Sequence, residues 1–168
     1  MELTDIILMI VAGIVAIIGL GATLMSRPWA SLVAFGALCV LFLQPVSAVS
    51  VGTLLFWGIA SLIATAICVL LPGDVQRSRM GVAYLLVGTV AGAFVGLIIS
   101  TAGMIVGAVL GAVCAAVAYS RTPAGRTIDF PSAKFFNYLC AKGLPIVVTV
   151  CEVTITVVSI IIFCKSMT

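Results

Sequence analysis

The sequence has no histidine and little charge: eight basic and five acidic residues among 168. Without an imidazole, Ser–His and Cys–His nucleophiles and histidine-bound zinc are excluded. Charged residues make up 8% of the chain, where a soluble domain carries about a quarter. That scarcity excludes a water-soluble globule, a disordered chain and a nucleic-acid binder, each of which needs polar or basic surface. No phosphate-cradling glycine loop and no Cys-x-x-Cys pair occur. Asp74 and Asp129 lie in connections, and Asp74, after Pro72-Gly73, reads as a turn residue. Nothing here points to an enzyme, a metal site or a cofactor.

What the chain has instead is hydrocarbon. Hydrophobic residues reach 64% and the mean hydropathy is +1.41. A helix crosses the roughly 30 Å apolar core of a bilayer with about 20 such residues, and only helices or closed barrels can do so with every backbone group satisfied. The expected fold class is therefore all-α: a single polytopic transmembrane helical bundle of about six helices. The expected spans are 6–25, 30–43, 51–71, 80–99, 104–119 and 144–163. The second is short, and it and the fifth are the ones whose full crossing the length leaves open. The first span begins beside Glu2 and Asp5 and not beside Lys or Arg, so it reads as an uncleaved span and not as a secretory signal. Pro28 and Trp29, Gln44-Pro45 and Pro72-Gly73-Asp74 punctuate the spans.

Residues 120–143 form the one long connection. Pro131 suits the first turn of a helix, and Phe135, Phe136, Tyr138 and Leu139 stand beside Lys134 and Lys142. This pattern fits either an interfacial helix over 131–142, lying on the membrane surface, or the start of one long bent helix whose bend is marked by Gly143 and Pro145. If all six segments cross, Arg27, Arg77, Arg79, Arg121, Arg126, Lys134 and Lys142 fall on one side and only Lys165 on the other. Basic residues concentrate in cytoplasmic loops, so both termini are expected outside the cytoplasm. The same basic connection can meet anionic lipid headgroups.

Two glycine ladders stand out. Gly88, Gly92 and Gly96 recur every four residues in the fourth segment; Gly103, Gly107 and Gly111 do so in the fifth, with Ala115 continuing the row. Residues four apart share a helix face, so each segment carries a groove without side chains. In lipid, close backbone approach drives helix association where hydrophobicity cannot. So short a link between the two rows forces an antiparallel hairpin. Packing within the chain is the plainer use of such grooves; self-association and a pore wall are the sharper ones.

Glu152 is the acid inside an apolar span, at an insertion cost of roughly 2.5–3.5 kcal/mol. Burial favours its neutral form. Thr149, Glu152, Thr156 and Ser159, at intervals of three, four and three residues, make one polar stripe on the last helix. They are the candidate proton or cation site. The alternative is a protonated acid that hydrogen-bonds another helix and fixes its rotation. Thr53, Ser61, Thr65 and Thr89 are candidate partners in the other spans. Cys39, Cys68, Cys114, Cys140, Cys151 and Cys164 are scattered through or beside apolar runs and read as small packing residues.

The glycine-bearing first span, Gly13–Gly21, the Leu71-Pro72-Gly73 turn, the Gly88–Gly111 ladders and the final apolar helix together resemble an uncharacterised family of small bacterial multi-span membrane proteins with a glycine-zipper hairpin. The resemblance runs from about Ile6 to Ile162 and implies architecture only. The expected role is that of a structural or interaction module in the bacterial inner membrane, touching lipid and either a second copy of itself or another membrane protein. The alternative is a small proton- or cation-coupled transporter or channel using Glu152.

Overall fold

The computed structural model describes residues 3–44, 49–70, 81–126, 128 and 130–166. Among these the chain is all-helical: α1 (Leu3–Leu24), α2 (Ala30–Phe42), α3 (Val51–Leu70), α4 (Val82–Ile99), α5 (Thr101–Ser120), α6 (Ala133–Tyr138), a π-helical turn (Leu139–Gly143) and α7 (Leu144–Ser166). The last three run on as one continuous helix. Five stretches, Thr4–Leu24, Val51–Leu70, Val82–Ile99, Thr101–Ser120 and Ala133–Lys165, are long and apolar enough to cross a membrane. α2 has 13 residues, which at 1.5 Å per residue rise only about 20 Å. The expected Pro72-Gly73-Asp74 turn, Arg77, Arg79 and Asp129 lie outside the described residues.

Several helix ends have a local cause. α1 closes in a Schellman arrangement: the Arg27 N–H donates to Ala22 O and the Ser26 N–H to Thr23 O. Ser26 takes the left-handed position with φ 55°, a place usually held by glycine. Ser100 joins α4 to α5 alone. Its N–H donates to Gly96 O, its carbonyl accepts from Met104 N, and its hydroxyl accepts from Gly103 N at 2.9 Å. The fifth span therefore starts three residues earlier than the expected 104.

The expected helix over 131–142 also shifts. It starts at Ala133, where the Ser132 hydroxyl accepts from Phe135 N, and Pro131 stands ahead of that cap instead of in the first turn. Phe135 and Tyr138 are buried in the bundle, so this stretch does not lie flat on a surface. It continues through the π-turn, where Leu144 N donates to Leu139 O, five residues back. Pro145 follows with no N–H, which leaves Ala141 O without its usual helical donor. The Cys68 thiol of α3 supplies one at 3.3 Å.

α7 is the hub. It packs on α1, α2, α3, α4 and α5. In the most apolar stretch of the last continuous helix half of the residues are buried, against 22–28% in the corresponding stretches of the other long helices. α4 and α5 form the tightest pair. A Cβ added at Gly88, Gly92, Gly96, Gly103, Gly107 or Gly111 would fall within 3.0 Å of atoms on the facing helix. Gly92 meets the Gly107 carbonyl, Gly96 that of Gly103, and Gly88 the Gly111 carbonyl and the Ala115 methyl. α1 and α2 pair through a different set. Ala12, Ala16 and Gly19 face inward, as do Ala30, Ala34 and Ala37, and a Cβ at Gly19 would press on the Ala34 backbone. Gly13 and Gly21, part of the glycine-bearing first span, face open space.

The polarity of the bundle follows from what its ends share. Arg27 and Pro28, Cys68 near the end of α3, Val82 at the start of α4, and Lys142 line one small cavity. Tyr84, Tyr119 and Tyr138 group at this end, with ring centroids 5.5 and 6.1 Å apart. At the other end Gln44 Nε2 donates to Asp5 O at 3.1 Å, and Thr53, Leu97, Thr101 and Ile162 line a second cavity.

Candidate functional site

α7 presents Thr149, Glu152 and Thr156 to its neighbours, and all three are fully buried. Their spacing puts them on one face, and the packing of α2 and α3 covers that face. Ser159 continues the row but is half-buried, because it lines the second cavity.

The carboxyl of Glu152 does not stand alone. Ser61 of α3, itself fully buried, donates from Oγ to Glu152 Oε1. One turn on, Thr65 Oγ1 donates to Ser61 O at 2.8 Å. Ser31 of α2 joins this group, its hydroxyl 3.2 Å from Thr65 Oγ1. Thr156 Oγ1 donates to Glu152 O at 2.9 Å. One hydroxyl, that of Ser61, thus reaches the acid near the middle of α3 and α7, and from Ser61 further contacts run through Thr65 to Ser31 at the start of α2. Two oxygens of the cluster, Glu152 Oε2 and Thr149 Oγ1, are buried without a hydrogen-bond partner. A water molecule or a small cation would supply a partner that the protein does not.

Of the four partner candidates, Ser61 alone reaches Glu152; Thr65 donates to the Ser61 carbonyl of its own helix and touches Ser31 of α2. Thr89 is fully buried but donates to Leu85 O of its own helix at 2.6 Å. Thr53 pairs with Ser50, 2.9 Å away, at the start of α3. Ser31 was not among the candidates. A lone serine in an apolar helix can satisfy itself on its own backbone, so its sequence carries no sign of a partner. Among the described residues no three His, Cys, Asp or Glu side chains gather as a metal site. Cys68 and Cys151 are buried, whereas Cys114, Cys140 and Cys164 sit on the outside.

Larger cavities lie among the described residues. One of about 320 Å³, between α1, α4 and α7, is lined by Leu20, Phe94, Val150, Ile161 and other apolar side chains, with Thr154. One of about 180 Å³ lies against α5 and the π-turn and is apolar as well. The third, about 260 Å³, opens between α3, the α4–α5 link and α7, and carries the hydroxyls of Thr53, Thr101 and Ser159. The chain matches no family model, no curated protein and no solved structure.

Proposed function

We propose that the chain is an integral protein of the bacterial inner membrane that serves as a structural or interaction module, built on the glycine-zipper hairpin α4–α5. The observation that carries this reading is the backbone-to-backbone seating of Gly88, Gly92 and Gly96 on Gly111, Gly107 and Gly103. Because the ladders are spent on each other, a second copy or another membrane protein would meet the outer apolar faces, such as Phe94, Val95 and Ile98 of α4. The basic end, with Arg27, Arg121, Arg126 and Lys134, supports an orientation with that end in the cytoplasm and both termini outside. The likeness to the small bacterial multi-span family belongs to this reading.

A second reading is favoured by the hydroxyl cluster: proton or cation coupling at Glu152. A coupling site needs more than one polar group near its acid, and Ser61, which donates to the carboxyl, together with the buried Thr149 and Thr156 on the same face of α7, supports that reading. The two readings separate in reconstituted vesicles. Under the module reading, Gly92→Leu or Gly107→Leu abolishes the folded state in gel filtration, and Glu152→Gln is mild in every assay. Under the coupling reading, Glu152→Gln keeps the folded state and loses pH-dependent ion flux.

A further inference from the structure

The 260 Å³ cavity differs from its two apolar neighbours in chemistry and in position. Thr53 is in the first turn of α3, Thr101 starts α5, and Ser159 sits towards the end of α7, so three hydroxyls ring a cavity at the level of the helix ends, where water is at hand. Its deep wall is made of Trp57, Met104 and Ile155. Trp57 is buried, and four residues later on the same face of α3 stands Ser61, the donor to Glu152. On α7, Ile155 and Ser159 lie three and seven residues beyond Glu152, on its own stripe. The cavity and the buried acid are thus one helical turn apart along both helices. α3 and the α4–α5 hairpin pack on α7 far more than on each other, which leaves this gap between them.

We propose that this cavity is an aqueous vestibule, that it admits water and small monovalent cations toward Glu152 from the end opposite Arg27, and that Trp57 is its gate. The proposal rests on the coupling reading of Glu152. At about 30 Å³ per water in the liquid, the space holds a hydrated cluster, and the three hydroxyls give it partners. The closed indole keeps Glu152 dry, and a change of its rotamer would open the last turn.

The test uses the full chain with its six cysteines replaced, single cysteines introduced, and a permanently charged methanethiosulfonate as probe in vesicles. Thiols react only as water-solvated thiolates. Ser159→Cys is expected to react at least ten times faster than Ile161→Cys, which lies at nearly the same depth in the apolar groove. Ser61→Cys is expected to stay unreacted until Trp57→Ala is added. Equal, slow reaction at Ser159→Cys and Ile161→Cys overturns the vestibule. Reaction at Ser61→Cys that is the same with and without Trp57→Ala overturns the gate. Should Trp57→Ala not fold, Trp57→Leu replaces it, and the Ser159/Ile161 ratio decides the vestibule in any case. Rapid labelling at Ser159→Cys alongside unchanged flux in Glu152→Gln would leave the vestibule standing and remove the coupling reading.

Discussion

Glu152 illustrates how a costly side chain is tolerated. A carboxyl in hydrocarbon needs donors, and Ser61 provides one from a helix ninety-one residues away in sequence. Hydrogen bonds between membrane helices contribute about 1 kcal/mol each, because the unpaired side chain finds other partners in the separated state. A double-mutant cycle of Ser61→Ala with Glu152→Leu, followed by denaturant unfolding in mixed micelles, is expected to give a coupling of about 1 kcal/mol. A coupling within about 0.3 kcal/mol of zero would mean that the bond adds nothing to stability. The stripe of Thr149, Glu152 and Thr156 was legible in the sequence, since helical spacing alone places it on one face. Its partners were not. Ser61 and Thr65 are no more conspicuous than Thr53 and Thr89, and only the three-dimensional rotation of α3 distinguishes a hydroxyl that reaches another helix from one that bonds its own backbone.

At the scale of elements, the same residue type has opposite consequences in different helices. Glycine inside a helix is about 1 kcal/mol less favourable than alanine. At Gly13 nothing lies within 4 Å of an added Cβ, so Gly13→Ala should stabilise the protein by up to about 1 kcal/mol. At Gly92 the added methyl would run into the Gly107 carbonyl, and backbone cannot step aside as a flexible side chain can. Gly92→Ala should therefore destabilise by about 2–3 kcal/mol, in the range of overpacked cores. Thermal unfolding of the two variants in the same detergent checks the sign of each; a destabilised Gly13→Ala or an unchanged Gly92→Ala would contradict the geometry. A four-residue glycine period is conspicuous because glycine is otherwise disfavoured in helices. The Ala12–Ala16–Gly19 and Ala30–Ala34–Ala37 faces that join α1 to α2 pack through small residues too, yet alanine is common on every side of an apolar helix, so its period carries little signal. The run from α6 into α7 was ambiguous for a related reason. Gly143 and Pro145 spoke for a break, but a π-turn and a thiol from α3 absorb the missing donor, and the helix continues.

For the whole molecule, the arrangement of ends matters most. A helix of 13 residues is too short to cross by itself, yet α2 runs from the Arg27 end towards the end where Gln44 meets Asp5. α3 then returns, with Thr53 at one end cavity and Cys68 at the other. α4 and α5 repeat the excursion through the single residue Ser100, and the last helix carries Lys142 and Ser159 at opposite ends. This up-and-down order places Arg27, Lys142 and the tyrosine group together, where basic and aromatic side chains suit the headgroup region. Sidedness in the membrane follows from that order and can be measured. Ser50, before α3, and Ala124, after α5, are both exposed. In a cysteine-free background, Ser50→Cys and Ala124→Cys are expected to react with an impermeant thiol reagent from opposite faces, with Ala124→Cys protected in intact cells and labelled only after the cytoplasmic face is opened. Labelling of both from one face would require α3 or the α4–α5 hairpin to leave the membrane on the side it came in, which the antiparallel order around α7 does not allow. Labelling from opposite faces, but with Ala124→Cys outside, would retain the bundle and reverse the orientation drawn from Arg27, Arg121 and Arg126.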